Sequence, residues 1–160
     1  MKTIELTSTC FDFKSDANLT DEQEKVWNNF IFKVIEHRFC SKNLFVTIWN
    51  PANDSLANNL PNTKFVKDNK FVHVTSLLTN VSNEDIHMII QSWEFELGNI
   101  RLLDGLASNL DDKELIAVIN YNYIAESEIR LKQEMIWSDS DGQSLYWFNA
   151  GVPASTIVSL

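Results

Sequence analysis

Cysteine is scarce in this chain: Cys10 and Cys40 are the only two among 160 residues. Without a close CxxC pairing they cannot build a disulfide framework, and they read as two reduced, semi-buried thiols. A cysteine nucleophile needs a base and an orienting group beside it, and the three histidines, His37, His73 and His87, are dispersed. The same dispersal leaves no HxxxH, HExxH or Cys/His cluster, so no metal or other cofactor is expected. His73, within a strand, and His87, on a helix, read as structural or exposed residues. Glycine is almost as rare, with Gly98, Gly105, Gly142 and Gly151 making four. The phosphate-cradling GxGxxG and GxxxxGK[ST] loops are missing, as is the GxSxG nucleophile elbow, which disfavours the nucleotide enzymes and hydrolases built on them. Long apolar runs are absent too. LIAVI (115–119) falls far short of the roughly 18–20 residues that cross a bilayer. Glu5 and Asp12 interrupt MKTIELTSTCFDF, so the start does not read as a secretory signal. The expectation is a soluble, cytoplasmic protein with no membrane segment.

What is present is core-forming material. Hydrophobic residues make up 44% and aromatics 11% of the chain, with five Trp and ten Phe, well outside the range of disordered chains. The length suits one ordinary domain, residues 1–160, and no repeat or linker divides it.

The net charge of −9 is unevenly placed. Residues 84–160 carry thirteen acids against four bases, whereas residues 41–83 carry two acids against four. An acidic half repels nucleic acid phosphate and speeds encounter with basic surfaces, so a nucleic acid partner is disfavoured and a basic protein favoured. The plainer account is that these acids keep a folded domain in solution.

Along the chain, MKTIELTSTCFDF alternates as a half-buried strand does. Thr20 and Gln23 form a capping box ahead of Val26, Trp27, Phe30, Ile31, Val34, Ile35 and Phe39, which recur at helical spacing and predict a helix over 20–40. NLFVTIWN (43–50) reads as a buried strand, 51–64 as a surface loop, and 64–78 as a hairpin with a strand at 71–78. Ser82 caps a second helix bearing Ile86, Ile89, Ile90, Trp93 and Leu97, ended by Gly98. Residues 99–110 fit either a short strand with a turn or a loop. The segments 114–124, 128–139 and 144–151 read as three successive strands with short connections. The expected fold is therefore α+β: an antiparallel sheet with a C-terminal β-meander and two amphipathic helices packed on one face.

The stretch QEMIWSDSDGQSLYWFNAG (133–151) carries DSDG. Placing Gly142 at position six of an EF-hand loop puts Trp137 at the first ligand and Phe148 at the twelfth, which fails. Asp-Gly between two alternating strands is a hairpin turn. Trp137, Tyr146 and Trp147 sit there beside Glu126, Glu128, Asp139 and Asp141, and aromatic anchors with charged rims are the usual furniture of protein interfaces. The expected partner-binding residues are Asp111, Asp112, Glu126, Glu128, Trp137, Asp139, Asp141 and Trp147, with Trp147 as an exposed apolar anchor. Thirteen C-terminal acids also allow carboxylate pairs for acid–base chemistry, but sequence alone selects none. A small acidic protein without a catalytic signature suits a stoichiometric inhibitor, most specifically an immunity protein against a basic bacterial toxin nuclease. The alternatives are an enzyme of unrecognised family and an adaptor or subunit whose aromatic excess serves an oligomer.

Overall fold

The computed structural model describes residues 2–7, 10–15, 19–48, 55–68, 71–91, 100–119, 134–138 and 144–152. Helix α1, Asp21–Phe39, begins where the sequence sets it: the Thr20 hydroxyl accepts from the Gln23 N–H, and the Gln23 side chain accepts from the Thr20 N–H. Two N–H groups that the first turn leaves without helical partners are thereby satisfied. Past its end Ser41 adopts φ 61°, and the Ser41 N–H donates to Val81 while the Val81 N–H donates to Lys42. This turn holds α1 against the start of α3, Asn83–Gln91. Asp85 and Ser82 cap α3 reciprocally.

Among the described residues eight strands form one sheet: β1 Lys2–Thr7, β2 Cys10–Lys14, β3 Leu44–Ile48, β4 Lys64–Asp68, β5 Phe71–Leu78, β6 Ile100–Asp104, β7 Met135–Ser138 and β8 Ser144–Phe148. Their order across the sheet is β1-β2-β8-β7-β6-β3-β5-β4, and every neighbouring pair is antiparallel. The α+β architecture with an antiparallel sheet is as the periodicities predict, with α1 and α3 on one face. Of the three segments expected to form the C-terminal meander, 128–139 and 144–151 supply the paired β7 and β8, and the next neighbour of β7 is β6 in place of a strand from 114–124.

Alternation along the strands sorts the side chains into two layers. The first face gathers Phe11, Phe13, Trp147, Ile136, Leu102 and Val46, covered by Ile31, Val34 and Ile35 of α1 and Ile86 and Ile89 of α3. Each such side chain taken fully from water stabilises the fold by about 1.5–3 kcal/mol. On the second face, a row running Phe148–Met135–Leu103–Phe45–Leu77 crosses five strands. It is packed by Ala107 of a 3₁₀ segment, Gly105–Asn109, and by Leu115 of α4, Asp112–Ile119.

Three stretches depart from the sequence expectation. The single N-terminal strand is two paired strands, β1 and β2. Residues 51–64 include the short helix α2, Ser55–Asn59. The expected strand at 114–124 begins as a helix, because Asp111 and Glu114 form a reciprocal capping box: the Glu114 N–H donates to the Asp111 carboxylate and the Asp111 N–H to that of Glu114, each at 2.8 Å. The ambiguous 99–110 resolves into β6 followed by the 3₁₀ segment. Residues 120–133, the DSDG turn at 139–142 and the C-terminal part of the second predicted helix lie outside the described residues. The two arms flanking that turn do pair antiparallel, with Ser138 opposite Leu145. No described helix is long and apolar enough to cross a membrane.

Candidate partner-binding site

Of the eight residues expected to contact a partner, four fall in the described structure. Asp111 and Asp112 are exposed at the start of α4. Asp111 is engaged in the capping box, and Asp112 meets the Lys64 ammonium at 2.6 Å, with both side chains largely in water. Glu126, Glu128, Asp139 and Asp141 lie outside the described residues.

The two tryptophans correct the expectation. Trp147 is fully buried on the first face, where its indole N–H donates to Glu134 at 2.8 Å. It is not an exposed anchor, because it lies on the face of the sheet that α1 and α3 cover. Trp137 is buried on the second face, with the Arg101 guanidinium 4.4 Å above its ring and Phe148 at 4.9 Å. The two rings sit on opposite faces of the sheet and form no common surface.

Glu134 is the hub of a lock that sequence reading missed. Arg38, near the end of α1, forms a two-pronged ion pair with both its oxygens, through Nε and Nη2. The pKa of the Arg38 guanidinium is raised above its ordinary value, first by this hydrogen bonding and also by the charges of Glu134 and Asp104, against the opposing effect of burial. The lock ties the helix layer to the sheet. A cleft of about 330 Å³ opens beside it, lined by Arg38, Lys42, Asn43, Asp104, Ser108 and Asn109 among others. Gly105 makes this corner possible, since a Cβ there would collide with Asn43.

A polar row crosses the second face next to the apolar one: Asp12–Tyr146–Trp137–Arg101–Thr47–Thr75–Lys64 are successive cross-strand neighbours. Asp12, Arg101, Thr47 and Thr75 are buried. Desolvation pushes Arg101 down to about 10, which leaves it a cation at neutral pH. The Thr47 hydroxyl and one Asp12 oxygen lack hydrogen-bond partners among the described residues.

Among the described residues, α1 also borders an open surface. A groove of about 650 Å³ runs along its outer side, with Leu19, Val26, Trp27 and Phe30 as apolar lining, Glu22 at one end and Lys33 at the other. Val26 is 71% exposed, although the helical periodicity counts it with the core stripe. Trp27, 4% exposed, is stacked on Phe30 at 5.7 Å, and its indole N–H has no hydrogen-bond partner among the described residues. Asp21, Glu22 and Glu24 put three carboxylates in the first turn of α1, and Glu22 among them lines this groove. In the sequence this site shows only as the acid cluster DEQE just ahead of Val26.

Among the described residues, no group of three or more His, Cys, Asp or Glu could hold a metal ion. No family model, curated protein or solved structure matches the chain.

Proposed function

We propose that the protein works by stoichiometric binding of a basic protein partner, as an immunity-type inhibitor of a toxin nuclease acting in the cytoplasm, and that its apolar contact is the α1 groove. The observation that carries this reading is the exposed Val26 above a Trp27–Phe30 floor, with the acidic first turn beside it. Isolated exposed apolar residues are ordinary, but an apolar groove with a charged end is the common anatomy of a protein-docking site. The occupant is a segment of the partner carrying an apolar side chain for the groove and Lys or Arg directed at Glu22, since the opposite end is occupied by Lys33. The overall charge of −9 favours the same class of partner.

Affinity capture of the tagged protein from its own cells, at low and moderate salt, tests the reading. The expected result is one basic protein at equal stoichiometry, retained less well as salt rises, which arrests growth when expressed alone and is silenced by co-expression with the wild-type chain. Recovery of the tagged protein alone at both salts, or of a captured protein that does not arrest growth, counts against the inhibitor.

Among the described residues, the cleft beside Arg38 and Asp104 is a place where an enzymatic reading can stand. Glu134 is a poor base there, because Arg38 and Trp147 occupy its oxygens. Turnover on a substrate panel, lost in Asp104→Asn, is the outcome that supports it.

A further inference from the structure

Strand β4, Lys64–Asp68, lies at one end of the sheet order and among the described residues pairs only with β5. Among the described residues no strand receives the backbone donors and acceptors of its outer edge. On the first face at this edge Phe65 is 65% exposed and Val72, its neighbour on β5, is 36% exposed. Lysines at sheet edges ordinarily guard against pairing, because like charges meet when two copies of an edge come together. The order of charges in KFVKD works the other way.

We propose that β4 pairs antiparallel with β4 of a second copy across a two-fold axis at Val66, joining the two sheets into one. A two-fold axis perpendicular to the sheet keeps each face continuous, so residues directly opposite must share a face, and their numbers sum to an even total. Centring the pair on Val66 sets Lys64 of each copy opposite Asp68 of the other, and Phe65 opposite Lys67. Opposite charges meet twice, and no like charges face each other. The two Phe65 rings become diagonal neighbours, a separation that aromatic side chains bridge. Centring on Lys67 instead would bring two lysines face to face, and centring on Phe65 leaves Lys64 opposite Val66.

The Lys64–Asp112 pair does not oppose this arrangement strongly. Both side chains are largely solvent-exposed, and such pairs contribute little. Two five-residue strands bury a small interface, in the class below about 1,200 Å² where association is weak and reversible. The dimer is therefore concentration-dependent.

Sedimentation equilibrium of the full chain over a wide concentration range, with charge-swapped variants, tests the register. The expected result is a monomer–dimer equilibrium, weakened about tenfold or more by Lys64→Asp or by Asp68→Lys, because each change sets like charges across the pair twice. The double variant K64D/D68K restores the opposite charges and is expected to dimerise as the wild type does. Phe65→Ser, at an exposed position, is expected to weaken the dimer without altering the circular dichroism of the monomer. A chain that remains monomeric at millimolar concentration overturns the proposal. So does a dimer indifferent to the single swaps, or one that the double swap fails to restore.

Discussion

On one face of the sheet, Phe11, Ile136, Trp147 and their neighbours meet α1 and α3 in an apolar layer whose charged feature is the Arg38–Glu134 lock at its end. On the other face, a buried polar row runs directly alongside an apolar one. The same strands supply both, and alternation alone separates them. The contrast shows two ways of placing charge inside a fold. Glu134 on the first face is answered by Arg38 and by the Trp147 N–H, whereas the second face leaves the Thr47 hydroxyl and one Asp12 oxygen unanswered. The first arrangement serves assembly of the layers. The second weakens them, because a polar group withdrawn from water without a partner costs about 1–3 kcal/mol.

Breaking the lock has the largest expected effect. Arg38→Met leaves a buried carboxylate without its cation and is expected to lower stability by about 3 kcal/mol in urea unfolding. Glu134→Gln keeps an acceptor for Trp147 and costs less, since Arg38 is partly open to water. The R38M/E134Q pair should cost less than the two single changes added together, by at least about 1 kcal/mol. Additivity would mean that the two side chains do not work as a unit.

Thr47→Val sharpens the other side of the comparison. It keeps the shape and deletes the unpartnered hydroxyl at a site with no exposure. Stability should rise by about 1 kcal/mol, seen as an increase of roughly 2–4 °C in Tm. A comparable loss would mean the hydroxyl is in use. The smallest effect belongs to Asp112→Asn at the surface pair with Lys64. There the expected change is under about 0.5 kcal/mol and disappears in high salt.

How much of this was legible depended on whether the signal was local. The Thr20–Gln23 box and the apolar spacing after it set both ends of α1 to within a residue or so, and β3 and the β4–β5 hairpin followed from their β-branched and aromatic runs. The start of α4 was misread because 114–124 is apolar on alternate positions, while Asp111 and Glu114, three residues apart, carried the capping signal that decides it. The Arg38–Glu134 lock spans 96 positions and the Trp147 bond 13, with nothing in either neighbourhood to announce them. The burial of both tryptophans was hidden for a related reason. Alternation says which side chains share a face, but whether both faces are covered depends on elements far away in sequence. Val26 goes the opposite way, grouped with the core by period yet exposed on α1.

The account stands or falls on where a partner is held. The most direct measurement compares capture of the basic partner by wild type, by Val26→Asp and by the D111N/D112N pair, each verified as folded by circular dichroism. Val26 is exposed, so a charge there spoils the groove without burying anything. Loss of capture in Val26→Asp, with near wild-type capture in D111N/D112N, is the predicted result. Undiminished capture by Val26→Asp alongside loss in the α4 pair would contradict it and return the contact to the acids of the second face.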